Sequence, residues 1–494
     1  MISLFKMILV FVGISISSML YASGTNPTDN EKKICYSIDA VNNTVTFIFD
    51  ETTWNRTGVS TVYVRGSFNS WGKTADYESN FRLTRQGAGF WSVTRTFSEV
   101  KQPGNSGQPE FKFYVNGSYA NAPSFVPEGY VFHNGDNNQI IVFPDDDLAA
   151  IIANSNIANT IKNLADFDLG TTEGKEALSN FRKVPGIAHL YRSYHPFKVS
   201  KASVGNTENE RMTLVTEFAT SVDIKSDICL SGNETSGLVS YTISGLGTFQ
   251  EAIPAYYQSI IDNDNVLYVG QSTTIPSYND VYYNSDGAVF GNWVKEMVQF
   301  IISDAHPAPF LIHCRLGTDR TGVFCAVLAS LLGVSWDDIA ADYQSSNNMG
   351  VREFRDYHLL KYSLEKMLAI DNIENVTDLK TTISEYFISN GYLTMEQIEA
   401  MDEKLNGSLT SLSDTKTTAA LSIYPNPASQ YINIVGTDSN ISKISIVSLD
   451  GKIIQETDYH NDPVYVGNIN PGLYFMQIEM SDKINITKEI IIVR

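Results

Sequence analysis

Early in the chain, apolar and polar positions alternate in short bursts. "NTVTFIF", "TVYVRGSF", "FWSVTRTF", "EFKFYVNG" and "NQIIVF" are β-branched and aromatic runs broken by Gly, Pro and Asn. Period-two runs bounded by turn formers predict strands, and five or more in succession predict an immunoglobulin-like β-sandwich over residues 24–145. The period changes at "DDDLAAIIANSNIANTIKNL", where apolar residues recur every three or four places and predict a helix. Strands then alternate with helices, the pattern of an α/β domain over residues 146–406. Residues 407–420, "GSLTSLSDTKTTAA", carry no apolar period and read as a linker. After it "LSIYPNP", "YINIVG", "KISIVSLDGKII" and "GLYFMQIE" return to short strands, predicting a small β-sandwich over 421–494. The expected fold is multidomain, with an α/β centre between two β-sandwiches.

The N-terminus adds an address. "MISLFKMILVFVGISISSMLYASG" places Lys6 before an apolar core and small residues, the layout of a secretory signal over residues 1–23 with cleavage after Ala22. Its apolar run is shorter than the ~20 residues a membrane span needs, and no later run is longer. The mature chain is therefore expected to carry no transmembrane segment and to be secreted or displayed at the cell surface.

Composition changes this picture little. A chain of 494 residues with 43% hydrophobic and 18% charged residues can bury ordinary globular cores. A net charge of -20 argues against broad nucleic-acid binding, which needs a basic face. Four cysteines in so long an exported chain do not make a disulfide scaffold. With no CxxC and no His/Cys cluster at zinc spacing, neither a metal site nor a cofactor is expected.

The chemistry concentrates in "FLIHCRLGTDRTGVFCAVLASLLGV", which begins at Phe310. "APFLIHC" is a strand candidate ending at a cysteine, and "TGVFCAVLASLLG" is a helix candidate beginning after an arginine. A loop at a strand's C-terminal end, entering a helix N-terminus, offers backbone N–H groups and a favourable dipole to an anion. Gly317 permits the tight path. The same surroundings favour a thiolate. Cys314 is then the candidate nucleophile, attacking phosphorus to form a covalent intermediate. Arg320 would hold equatorial oxygens and stabilise charge in the transition state. Thr321 would hydrogen-bond the departing sulfur, and His313 would orient the loop. Asp319 would protonate the leaving-group oxygen and then activate water. The phosphate cradle is expected from Arg315, Leu316, Gly317, Thr318, Asp319, Arg320 and Thr321.

"HCRLGTDRTG" resembles the HC-x5-R-[ST] signature of the cysteine-dependent tyrosine phosphatase superfamily. More narrowly, the "DRTG" followed by "GVFCAVLASLLGVSWDDIAADYQSSN" is similar to the PtpB-like bacterial tyrosine and dual-specificity branch. "NFRKVPGIAHLYRSYHPF" upstream and "YLTMEQIEAMDEKL" downstream extend the likeness over about residues 178–405. It implies a metal-independent phosphomonoester hydrolase and supports Asp319 as general acid. Two departures stand out. Thr318 occupies a position where the family often has lysine. "CLSGNE" (229–234) replaces the branch's "DLR…E", putting Cys229 and Ser231 where an acid and a base are expected. Cys229 could form a protective disulfide with Cys314 or be an unpaired core cysteine. Arg192 could face the pocket or form a structural ion pair.

"VYVRGSFNSWG", "FKFYVNGSYANAP" and "GDNNQIIVF" resemble the glycogen-binding module of AMP-activated kinase β-subunits. By position, Trp71, Lys112, Tyr119 and Asn137 are the sugar-site candidates, with α-glucan as the implied ligand and a spacer or docking role as the alternative, while Trp91 falls on a core strand. The C-terminal "YPNPASQYINI", "LDGK" and "PGLYFMQIE" resemble the sorting domain of type IX secretion, implying the secretion machinery as a partner and passage through an outer membrane. The expected activity is hydrolysis of phosphotyrosine, on a protein or as a small phosphomonoester. The alternatives are an inositol-polyphosphate phosphatase and a non-catalytic surface protein that binds glycans or phosphorylated ligands.

Overall fold

The computed structural model describes residues 26–407 except 75, 202–206, 233–237 and 244–246, and residues 422–494 except 436–440, 449–451, 460–461 and 481–484. The leader at 1–23 and the linker from 408 onward thus lie outside the described residues. The chain divides into two compact units, up to Ser408 and from Leu409.

The first unit opens with two antiparallel sheets. One runs Tyr36–Asp39, Thr44–Asp50, Phe90–Thr96, Thr84–Arg85. The other runs Val62–Gly66, Glu110–Val115, Asn138–Ile140, Val131–Phe132, with Ser118–Ala120 added beside Glu110–Val115. Alternation decides what is buried: Val45, Phe47 and Phe49 of the first sheet share a core with Val64, Phe111 and Phe113 of the second. Phe47 meets Phe111 edge-on at 5.1 Å, and Phe49 meets Phe113 at 5.2 Å. Trp91 belongs to this core, its Nε1 donating to Glu51 at 2.8 Å.

The α/β part follows the helix Leu148–Ala158. Its sheet has five strands in the order Arg182–Lys183, Leu190–Ser193, Phe310–His313, Ser226–Cys229, Val266–Tyr268. Phe310–His313 is central and parallel to both neighbours. Every residue of it is buried, as expected for a strand covered on both faces. Phe310, Ile312 and Cys314 point into one core, with the helices Ala288–Ile302 and Asp319–Leu331. Leu311 points into the other, with Glu208–Ser221 and Ala255–Asp262. The helix after the loop begins at Asp319, so Arg320 sits inside its first turn, where the sequence placed it just before the helix. Residues 321–331 are buried all round, which is why the sequence there shows no polar face. A hairpin, Leu238–Ile243 with Gly247–Ala252, is inserted after the strand Ser226–Cys229.

The second unit is β-rich. Ile453–Asp458, Ile441–Ser448, Gly472–Met480 and Asn485–Ile492 form one antiparallel sheet, and Ser422–Tyr424, Tyr431–Val435 and Val464–Tyr465 a smaller one. Ile432, Ile444, Met476, Ile478 and Ile490 close a common core. Among the described residues, no helix is long and apolar enough to cross a membrane.

Candidate active site

The loop between Phe310–His313 and the helix Asp319–Leu331 sits at the C-terminal edge of the sheet, where parallel strands present ligands. Its carbonyl groups are pinned outward. His195 N–H donates to the Arg315 carbonyl at 3.1 Å, Asn180 Nδ2 to that of Leu316 at 2.9 Å, and Arg192 Nη2 to that of Gly317 at 2.6 Å. Among the described residues, the N–H groups of 316–320 find no protein acceptor, which leaves them for an anion. Gly317 has φ +73°, and a Cβ there would run into the Ser193 carbonyl oxygen. No other residue fits that turn without moving it.

Cys314 is 3% exposed. Burial opposes its ionisation, but the Arg320 guanidinium and the Thr321 hydroxyl and N–H beside it outweigh that cost, and its pKa falls below the ordinary thiol value. The Thr321 hydroxyl is buried and makes no hydrogen bond of ordinary geometry among the described residues, which leaves it available to the sulfur. Arg320 is steadied from behind, Nη1 donating to the Leu230 carbonyl at 2.8 Å and lying 3.4 Å from that of Pro276.

Behind the loop, His313 Nδ1 lies 3.1 Å from the Cys314 carbonyl oxygen and Nε2 lies 3.2 Å from Asp227 Oδ2. Tyr257 also donates to that carboxylate oxygen at 2.7 Å. His313 is fully buried, which disfavours its charged form. The Asp227 carboxylate and the Cys229 sulfur more than compensate, and its pKa is held well above the ordinary histidine value. Ring nitrogens of His195 and His313 and the Cys229 sulfur lie within 4.8 Å of one another, a buried cluster that no short sequence spacing announces.

A thiol activated at the mouth of an amide-lined loop, with an arginine beside it, is equipped for phosphoryl transfer. Residues 176–411 match the model of the tyrosine phosphatase family, and residues 422–493 that of the secretion system C-terminal sorting domain. The chain carries a tyrosine phosphatase family domain. The tail is a type IX sorting domain, the mark of a secreted or cell-surface protein. No curated protein matches the chain. Among solved structures, the core catalytic domain of the PP-IP phosphatase SIW14 from S. cerevisiae, in complex with citrate, is similar at 16% identity, over 43% of this chain and 94% of that one, with a TM-score of 0.21.

The phosphatase domain gathers Cys314, Arg320, Thr321 and His313 as described. Asp319 is there too, but its carboxylate is shared. Arg355 Nε is 2.5 Å from Oδ1, Arg355 Nη2 is 3.2 Å from Oδ2, and Tyr282 donates to Oδ1 at 3.0 Å. The Arg315 side chain turns away from the loop, to Ser200 Oγ at 3.1 Å and the Val199 carbonyl at 2.8 Å. Arg192 takes the structural role: it is fully buried and pairs with Asp342 at 2.5 Å. The Cys229–Cys314 disulfide is disfavoured by register. Cys229 pairs with His313 across parallel strands and so shares its face, while Cys314, one residue on, points into the opposite core. Asp280 and Asp286, the other acids of this region, are engaged locally with Ser277 and Lys366.

Two residues escaped the sequence reading. Arg355 lies 36 positions from Asp319. Lys198, 7% exposed and lowered to about 8 by burial despite the Cys229 sulfur, lies close to Arg315.

The sugar-site candidates divide. Trp71, Lys112 and Tyr119 line a cavity of about 370 Å³. The turn that presents Trp71 is built by Asn69, whose Oδ1 accepts from the N–H groups of Gly66 and Gly72 at 3.0 and 3.1 Å. Asn137 does not reach this cavity. It sits at φ +52° in the preceding turn, 3.2 Å from His133, and lines a separate hollow. Its neighbour Asn138, first in the strand, lines the cavity instead.

Proposed function

We propose that this chain is an exported cysteine-dependent phosphatase that hydrolyses phosphotyrosine or a related phosphomonoester through a cysteinyl-phosphate intermediate. The Cys314 thiol, its pKa lowered beside Arg320, and the unclaimed N–H groups of residues 316–320 carry the reading. The thiolate attacks phosphorus, an S–P bond forms, and the P–O bond to the leaving group breaks. Arg320 and the loop amides hold the equatorial oxygens. Asp319 supplies the proton that the departing oxygen takes up. Water, losing its proton to Asp319, then attacks phosphorus, releasing inorganic phosphate and restoring the thiolate. The test is turnover of p-nitrophenyl phosphate without added metal. Cys314→Ser should lose about 10³-fold or more in kcat, and equal rates in wild type and variant would overturn the mechanism.

An inositol polyphosphate is the second reading, favoured by the cation Lys198 near Arg315. A higher kcat/KM for an inositol polyphosphate than for a phosphotyrosine peptide, lost in Lys198→Met, would establish it. The domain limits drawn above, the cleaved leader and the immunoglobulin-like, sugar-binding character of the N-terminal sandwich belong to the same proposal.

A further inference from the structure

The 370 Å³ cavity is not confined to the sandwich. Trp71 and Tyr119 line it together with Tyr278 and Tyr283, from the phosphatase helix Tyr278–Tyr283. Aromatic side chains gathered in this way suit sugar rings, whose C–H faces stack on them while their hydroxyls seek polar groups. Those groups are present: Asn105, Asn138, Lys112 and Glu110 line the same space. Glu110 is fixed, its oxygens accepting from Ser106 N–H at 2.8 Å and Asn138 Nδ2 at 2.7 Å. Two carboxylates, Glu110 and Asp136, face one ammonium, Lys112, so the cavity favours a neutral polyhydroxyl ligand over a second phosphate. The Trp71 indole makes no ring contact among the described residues and is open to stacking.

The cavity wall leads to the catalytic loop. Tyr278 donates to Asn105 Oδ1 at 2.8 Å, and Tyr283 to the Pro103 carbonyl at 3.0 Å, tying the helix to the sandwich. The Arg355 guanidinium lies over the Tyr278 ring, 5.5 Å from its centre, and pairs with both Asp319 and Glu353. Residues flanking Arg355 belong to the sandwich side: Phe354 packs with Phe132 and Ile140, and Asp356 N–H donates to the Asn105 carbonyl at 3.0 Å. One short segment thus touches the sandwich, the cavity wall and the loop.

We propose that this cavity is a saccharide site to whose wall the phosphatase contributes Tyr278 and Tyr283, and that its occupant is linked to the catalytic loop through Tyr278 and Arg355. The link rests on the reading of the Cys314 loop as the anion site. Titration calorimetry of the full chain with maltoheptaose, with and without tungstate as the loop anion, tests it. Trp71→Ala should weaken sugar binding about tenfold and Tyr283→Leu about fivefold. Tungstate should change the wild-type sugar affinity by about fivefold, and the sugar should change tungstate affinity by the same factor. Loss in Trp71→Ala with wild-type affinity in Tyr283→Leu would make the site the sandwich's alone and overturn the shared wall. Should Tyr283→Leu not fold, Asn105→Ala, expected to weaken the sugar about fivefold, and the wild-type linkage decide. Sugar affinity that ignores bound tungstate overturns the link. Absence of sugar binding overturns the proposal while leaving p-nitrophenyl phosphate turnover intact, whereas binding without turnover strikes the phosphatase reading instead.

Discussion

Arg355 grips Asp319 with two nitrogens, Nε at 2.5 Å and Nη2 at 3.2 Å, one residue before Arg320. A proton can reside on Asp319 only by displacing part of that fork. Good leaving groups such as p-nitrophenolate need little protonation, and alkoxides need it fully. Asp319→Asn should therefore slow an alkyl phosphate by about 10²-fold or more and p-nitrophenyl phosphate much less. Parallel kcat measurements on the two substrates check this, and equal losses would assign the proton to another group. Arg355→Lys keeps the charge but loses the fork. It should lower kcat while leaving KM nearly unchanged, since Arg355 orients Asp319 and does not hold substrate.

The thiolate makes a second prediction. Burial works against Cys314 ionisation, and Arg320 and Thr321 win. Because the thiolate is the reactive form, alkylation of Cys314 by iodoacetamide should follow pH with a midpoint below the ~8.5 of a free thiol. Thr321→Ala removes a hydroxyl that favours the thiolate and should raise the midpoint by about one pH unit. A midpoint unmoved by that change would mean the hydroxyl is not on the sulfur.

Gly317 isolates the loop's shape from its chemistry. Its φ of +73° and the nearby Ser193 carbonyl leave no room for a side chain. Gly317→Ala must displace the loop while leaving every catalytic side chain in the sequence. A shift of that kind should cost about 10²-fold in kcat/KM. Tungstate affinity should fall with it, and unchanged affinity would show that the amides of this turn do not bind the anion.

The parts of this architecture that were legible are those written locally. Alternation in "NTVTFIF" and "EFKFYVNG" announced strands, and "HCRLGTDRTG" between a strand and a helix announced an anion loop. The illegible parts are pairings across the fold. Arg355 reaches Asp319 from a segment with no motif of its own, and His195 joins His313 and Cys229 only because neighbouring strands end together. Asn137, carried over by position, misses the cavity because it lies in the turn before the strand, and Asn138, the strand's first residue, lines it instead. Tyr278 and Tyr283 belong to no motif, and only the packing of the sandwich against the phosphatase brings them to the cavity.

The Asp227–His313 pair supplies the last prediction. Both side chains are fully buried, and the His313 pKa, despite the cost of burial, is held well above the ordinary value by Asp227 and the Cys229 sulfur. A group whose folded pKa is raised contributes stability that is complete below its unfolded value, about 6.5 for histidine, and is lost as pH rises through the folded value. Asp227→Asn removes the principal counter-charge, leaving a buried imidazolium that must lose its proton. At pH 6 the variant should be less stable than wild type by about 3 kcal/mol, the scale for breaking a buried pair. The difference should shrink as pH rises above neutrality, because wild type alone has that stabilisation to lose. Urea unfolding at pH 6, 7.5 and 9 reads it directly. A difference that stays constant with pH would mean His313 is neutral in the fold and that Asp227 steadies it by hydrogen bonding alone. The Cys314 loop would then be oriented by a neutral ring, and its phosphatase activity would show no alkaline limb attributable to His313.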